Sequence, residues 1–290
     1  MKKFFLVFVC IFMMLSSSVN ANSHCVQNYC PKEPYSLSGN LSGIASTVSG
    51  VNFLTRQLIE KLLVKVLKEE LNSNFDVQLT TFSNNNLLNG KFKSLSILGN
   101  NIERNGFHVS SVSAQTLCGF NHIKYEDEKL YFMENMVVKY SARITEDDLK
   151  KTLDSNEYLS SIKRTQIKSN GKVLAKISDV NVDIKDNKIV MSSEILVPIL
   201  FGEIPNRIEF SAGLNVENGK IIFDDISLEN SFLNIITSVL EPLNDKINPF
   251  TYKVQTKDKY DIILKVENVK ITNGEIYTDG TVVILKNYDK

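Results

Sequence analysis

Val51-Asn-Phe-Leu54-Thr-Arg-Gln-Leu58-Ile-Glu-Lys-Leu62-Leu-Val-Lys-Val66-Leu-Lys-Glu-Glu-Leu71 decides the fold. Leu54, Leu58, Leu62 and Val66 recur every four residues, and Val51, Ile59 and Leu63 widen the stripe. That period is helical. Arg56, Glu60, Lys61 and Lys68 fall mainly outside it. At 1.5 Å per residue the helix spans about 30 Å. An apolar stripe this wide needs a large partner surface, and the rest of the chain must supply it.

C-terminal to this helix the period changes to two. Leu95 and Ile97 alternate with polar residues, as do Phe107 with Val109 and Val112 with Ala114. The slip between Val109 and Val112 predicts a bulge or corner. Met136, Val138, Tyr140, Ala142 and Ile144 form a further strand. Val173-Ala175-Ile177 continues as Val180-Val182-Ile184 after a slip of one. Ile208, Phe210, Ala212, Leu214 and Val216 alternate, as do Ile262, Leu264 and Val266 near the end. Asn105-Gly106, Asp186-Asn187, Asn218-Gly219 and Asn273-Gly274 are hairpin turns. Thr145-Glu-Asp-Asp148 opens a helix towards Lys163, broken near Ser155-Asn156. Its acidic residues suit the positive end of the helix dipole and read as a cap, not as a metal or catalytic set. Phe232, Ile236, Val239, Leu240 and Leu243 share one face of another helix, with Pro242 ending or kinking it. The fold class expected is α+β, with long bulged antiparallel strands around two amphipathic helices.

N-terminal to Val51 the chain reads as leader and arm. Lys2-Lys3 precedes an apolar run from Phe4 to Leu15, and Val19-Asn20-Ala21 offers small residues for cleavage. Residues 1–21 are therefore expected to be a signal peptide. Residues 22–50 are rich in Ser, Asn and Gly and read as a flexible or loosely docked arm. Asn40-Leu-Ser42 is a glycosylation sequon. Residues 51–290 form the single remaining domain. Export implies an oxidising compartment, where Cys25 and Cys30 are close enough in sequence to pair. Cys118, in Thr116-Leu-Cys-Gly-Phe120, reads as a buried small apolar residue.

Charge and motifs narrow the chemistry. The 290 residues carry 33 basic and 33 acidic side chains. Such a neutral chain lacks the footprint of a general nucleic-acid binder. Basic and aromatic residues do meet at Lys124-Tyr125 and Lys129 to Phe132, but Glu126, Asp127 and Glu128 interrupt any positive field. Gly39-Asn-Leu-Ser-Gly43 has its serine in the wrong place for a nucleophile elbow, and Gly213 to Lys220 lacks the spacing of a phosphate loop. His108 and His122 have no metal-ligand spacing. No catalytic residues, cofactor or metal are expected.

The ordered pieces resemble a family. Leu87-Leu-Asn-Gly-Lys-Phe-Lys-Ser-Leu-Ser-Ile97, Asn105-Gly-Phe107, Ala142-Arg-Ile-Thr-Glu-Asp-Asp-Leu149, Asn218-Gly-Lys-Ile-Ile-Phe223, Leu243-Asn244, Asn248-Pro249 and Val269-Lys-Ile-Thr-Asn-Gly-Glu-Ile-Tyr277 occur in this order. In this order they look like the LmeA-like phospholipid-binding proteins of bacterial cell envelopes. The resemblance implies a TULIP-like tube, a long curved antiparallel sheet wrapped around the long helix. It implies phospholipid or another acyl-chain lipid as the partner, transient contact with a membrane surface, no catalysis, and residence in the periplasm or cell envelope. The Cys-containing arm and the Asn84-Asn85-Asn86 loop depart from the family pattern.

The expected lipid-facing residues come from the apolar stripes: Leu54, Leu58, Leu62 and Val66 on the helix, with Ile208, Phe210 and Leu214 on a facing strand. The alternatives are a structural or interaction protein with a packed barrel and no ligand, and a hydrolase on another fold. The leader yields the first test. N-terminal sequencing of exported protein should begin at Asn22, and material beginning at Met1 overturns the cleavage.

Overall fold

The computed structural model describes residues 29–31, 35, 37, 51–71, 73–126, 129–162, 166–169, 172–199, 202–228 and 262–287. The expected leader, most of the arm and the helix expected around Phe232–Leu243 lie outside the described residues.

Helix α1 covers Val51–Leu71, as its period requires. Strand β1 (Asn74–Thr80), helix α2 (Asn84–Leu88), β2 (Lys91–Phe92), β3 (Ser94–Arg104), β4 (Phe107–Thr116), β5 (Asn121–Glu126), β6 (Lys129–Phe132) and β7 (Met136–Thr145) follow. Next come helices α3 (Glu146–Asp154) and α4 (Asn156–Ile162), then β8 (Gln166–Ser169), β9 (Lys172–Lys185), β10 (Lys188–Ile199), β11 (Gly202–Glu217), β12 (Lys220–Leu228), β13 (Ile262–Thr272) and β14 (Glu275–Ile284). The fold is α+β and dominated by antiparallel sheet, as expected.

The strands form a six-stranded sheet in the order β1-β3-β4-β7-β14-β13, a five-stranded sheet β12-β11-β10-β9-β8 and a small sheet β2-β5-β6. Turn chemistry sets much of the register. Asn105-Gly106, Asp186-Asn187, Asn218-Gly219 and Asn273-Gly274 all have both φ angles positive. Two such residues make the type I′ turn that matches strand twist. The slip read before Val180 is real: Glu194 pairs with Asp179 but Ile195 with Ile177, so Ser178 is the extra residue of a bulge. The slip read between Val109 and Val112 is not a register shift. Both residues are buried, yet β3 and β4 keep one register throughout. The irregular residue is Asn101 (φ 53°), between the partners of Ser111 and Val109. Asp279-Gly280 lies inside β14, beside the bulge between Val266 and Asn268. A Cβ on Gly280 would stand 2.1 Å from the Lys265 carbonyl oxygen, so the strand crossing there requires glycine. Asn84-Asn85-Asn86 is not a loop but the start of α2, capped by the Ser83 hydroxyl, which accepts from the Asn86 N–H.

One continuous core joins the two large sheets. Val77, Ile97, Val112 and Ile144 belong to it from the first sheet, and Val182, Met191, Phe210 and Phe223 from the second. Among the described residues, two junctions tie the sheets to each other. The Val266 N–H donates to the Gly219 carbonyl at 3.0 Å, bringing the β11–β12 turn against the β13 edge. Helix α3 is the other junction. The Thr145 cap is present as read, and Asp148 completes it as a capping box: Thr145 accepts from the Asp148 N–H, and Asp148 accepts from the Thr145 N–H at 2.8 Å. From its first turn Glu146 accepts the Ile184 N–H of β9 at 2.8 Å and pairs with Lys150 at 2.6 Å. Lys150 also reaches Asp183 at 2.9 Å.

These ion pairs make a pH prediction. Lys150 and then the Ile184 N–H hold the Glu146 carboxyl below its ordinary value, and Lys150 does the same for Asp183. A carboxyl depressed in the folded state stabilises above its unfolded pKa and loses that contribution as pH falls through the folded one. Urea stability should therefore decline as pH drops below about 4.5. Glu146→Gln should cost about 0.5–1 kcal/mol at neutral pH, since the pair is partly exposed, and should flatten the acid slope. An unchanged slope overturns the assignment.

Candidate functional site

Helix α1 is apolar on two sides. Leu67 and Leu71 are fully buried, and Ile59, Leu63 and Val64 pack partly against the same core. This is the side that meets β1 and β3. Glu60 lies on it too, and its carboxylate accepts the Leu79 N–H of β1 at 2.8 Å. An edge strand's outward N–H is thereby satisfied by a helix side chain. The turn into β1 is fixed by Ser73, whose hydroxyl bonds the Leu71 and Asn101 carbonyls.

The other side of α1 is open. Leu58 is 63% exposed and Leu62 53%. At 100° per residue, Leu58 and Leu62 stand about 140° around the helix from Leu63 and Leu67. The side chains of Leu54 and Val66 lie outside the described residues. The expectation that Leu58 and Leu62 are enclosed in the interior is therefore corrected. The reason is that Leu63, Leu67 and Leu71 form a second row, and that row took the core.

The strand half of the expected lining is enclosed instead. Ile208 and Phe210 are buried and Leu214 is partly buried. The Phe210 ring meets Phe223 edge-on at 6.0 Å. The structure does not bring the two halves together: Leu58 and Leu62 face outward, whereas Ile208 and Phe210 sit in packed core. Two further residues share the core-facing side of the second sheet. Ile204 precedes Ile208 by two alternations on β11 and is 47% exposed. Ile226 lies beyond the β12 irregularity, where Leu228 pairs with Phe210, and is also exposed. On β11 the polar Asn206 separates Ile204 from Ile208 on that side. Strand parity could have shown Ile204, and the bulge hid Ile226.

A second cluster, which the sequence reading missed, sits at the end of the six-stranded sheet where β1 and β4 finish. Phe82 and Phe120 stack at 5.5 Å. Tyr35 meets Phe82, Phe120 and His122 edge-on at 6.4, 6.0 and 5.2 Å. The Tyr35 hydroxyl donates to the Asn121 carbonyl at 2.7 Å, and burial pushes its pKa up to about 12. Burial and the nearby Lys91 lower that of His122. Lys91 lies 5.0 Å from the centre of the Tyr35 ring, and Lys93 lies 5.3 Å from that of Phe82. Beside them Cys30 is bonded to Cys118, with Cα atoms 5.3 Å apart. The expected Cys25–Cys30 bond is thus replaced. Short sequence distance favours loop closure, but the fold brings the segment after β4 within bonding geometry of Cys30. Tyr29 and Cys30 pack with Cys118, Val137 and Val283, so part of the arm is fixed to the domain. Cys25 lies outside the described residues.

The hydroxyl and carboxyl groups near α3 are engaged with one another and with the helix start. The Ser110 hydroxyl donates to Asp148 at 2.5 Å, and Asp148 is engaged in the helix cap. The main-chain N–H of His108 donates to the Thr152 hydroxyl at 3.0 Å. Among the described residues no His, Cys, Asp and Glu cluster could hold a metal ion, and no helix is long and apolar enough to cross a membrane. Comparisons with family models, curated proteins and solved structures return no match.

The disulfide gives a direct test. Non-reducing digestion should yield one peptide joining Cys30 to Cys118. Cys118→Ser should lower unfolding free energy by about 2–4 kcal/mol, because the bond closes a long loop of the unfolded chain. A Cys25–Cys30 peptide from the wild-type protein overturns the pairing.

Proposed function

We propose that this protein is an exported lipid-binding protein that holds acyl chains against the open side of α1, as a carrier or accessory factor in cell-envelope lipid metabolism. The observation that carries this reading is the exposed apolar row at Leu58 and Leu62 on a helix whose opposite side is already buried. Apolar surface left open in this way marks a binding face. Leu54 and Val66 continue the row by sequence spacing.

The energetics require a second wall. An acyl chain of about 14 methylenes yields about 11 kcal/mol gross when fully enclosed, at about 0.8 kcal/mol each. One flat face recovers about half of that, which the cost of association largely offsets. In the TULIP-like arrangement that the resemblance implies, sheet wrapped around the helix would supply that wall. The proposed ligand wall on the helix itself is Leu58 and Leu62. Ile208 and Phe210 serve the core.

Leu58 and Leu62 are exposed, so Leu58→Ser and Leu62→Ser should leave stability nearly unchanged. The double variant should bind a fluorescent phospholipid at least about tenfold more weakly than the wild type, because two apolar contacts are lost. Organic extracts of the wild-type protein should contain phospholipid by mass spectrometry. Unchanged affinity in a folded double variant removes the α1 site. A wild-type protein that carries and binds no lipid leaves the packed interaction protein as the correct reading.

A further inference from the structure

We propose that Tyr277, on the outer side of the six-stranded sheet, is the stacking platform of a binding site for an extended, uncharged polysaccharide. This goes beyond the acyl-chain site on α1 and does not rest on it.

Register places the site. On the side of this sheet turned away from the core, one residue from each strand falls into a single row. From β1 to β13 the row is Asn74, Asn100, Ser111, Arg143, Tyr277 and Lys270. The residues next to them along the strands, such as Val112, Ile144 and Ile276, belong to the core on the opposite side. Strands about 4.8 Å apart make the row about 24 Å long. Tyr277 stands about 19 Å from the β1 edge that α1 covers, so the two sites are separate.

The tyrosine ring is held in place. The Tyr277 hydroxyl donates to the Glu275 carboxylate, two residues back on the same side of β14. Residues i and i+2 of a strand lie about 6.8 Å apart, so an upright tyrosine cannot reach that carboxylate. The ring therefore leans along the strand and turns one face outward. It is 41% exposed. Arg143, its cross-strand neighbour, donates to the other Glu275 oxygen at 2.8 Å. Glu275 is thus gripped from both sides by charge-assisted bonds. Arg143 Nε also lies 3.5 Å from the Ser111 hydroxyl. A ring fixed before its ligand arrives loses little freedom on binding.

Chemistry then selects the ligand. The Arg143 charge is met by Glu275, so the platform offers little field to a phosphate. The outward ring face carries the negative side of the aromatic quadrupole and suits the C–H face of a pyranose. Asn74, Asn100 and Ser111 continue the row with amides and a hydroxyl, which donate and accept as sugar hydroxyl groups do. A flat sheet has no walls to enclose a small molecule. A chain of several sugars laid across the strands meets the ring and the amides together, whereas one sugar meets the ring alone.

Titration calorimetry of the full exported chain with cellohexaose, chitohexaose and mannohexaose tests the proposal. At least one should bind, and the matching disaccharide should bind at least about tenfold more weakly, because it cannot reach from the ring to Asn100. Tyr277→Ala should weaken binding about tenfold. Tyr277→Phe keeps the ring but frees it from Glu275, and should weaken binding about threefold. Asn100→Ala should do so about threefold as well. These side chains are exposed, so all three variants should match the wild type in urea unfolding. They should also bind the fluorescent phospholipid as the wild type does, while the Leu58→Ser/Leu62→Ser protein should keep its sugar binding. Absence of binding to all three hexasaccharides overturns the proposal, as does unchanged affinity in folded Tyr277→Ala. If Tyr277→Phe loses as much as Tyr277→Ala, the hydroxyl and not the ring face makes the contact, and stacking is overturned. Equal affinity for disaccharide and hexasaccharide overturns the extended ligand.

Discussion

Each large sheet has an apolar side, and among the described residues these two sides meet. That mutual shielding is the constraint on which the structure depends, because no described helix layer is large enough to replace either sheet. The apolar residues of both belong to one core. Directional contacts add little energy to such a core but decide how it is assembled. The Val266–Gly219 hydrogen bond sets one junction and the Glu146–Ile184 hydrogen bond the other. Glu146 does two things from one position. It favours the start of α3 through the helix dipole, and it ties that helix to a strand of the second sheet. A charged group so placed needs a counter-ion, and Lys150 supplies it from the next turn.

The same constraint explains why α1 ends up two-sided. The helix has two leucine rows, and the core accepts one. Leu67 and Leu71 lie in the final turn, where the chain must enter β1 within a few residues, so the direction of exit selects their row. Glu60, on the same side, then covers the Leu79 N–H of the edge strand. Burying the Leu58–Leu62 row instead would leave that N–H without its carboxylate partner and lift Leu71 out of the core. What remains exposed is therefore a by-product of edge protection.

Local rules made much of the fold legible. Helix α1 follows from a period of four, α3 from Thr145 and its acidic first turn, and the type I′ hairpins from their Asn-Gly and Asp-Asn pairs. The bulge at Ser178 was visible as a broken alternation. The illegible parts share one physical origin, a choice among surfaces that only tertiary packing makes. Periodicity identified Leu58 and Leu62 as one stripe but could not rank it against Leu63, Leu67 and Leu71. Alternation put Ile208 and Phe210 inward but could not say that Phe223 would meet Phe210 and fill the space. Cys118 read as a small apolar residue because its partner lies 88 residues away, and sequence carries no measure of that closure.

The aromatic end shows the same limit more sharply. Tyr35, Phe82, Phe120 and His122 come from three separate segments, and none marks itself in the sequence. Their assembly depends on the Cys30–Cys118 bond, which brings the arm across the sheet end, and on the small sheet β2-β5-β6, which presents Lys91 opposite His122. An aromatic cluster built only to fill space would be expected to end in buried leucines. Here the neighbouring Leu88 and Leu117 are exposed, while the interior a few residues away is closed by Phe92 and Phe132. Burial thus changes abruptly across a single layer.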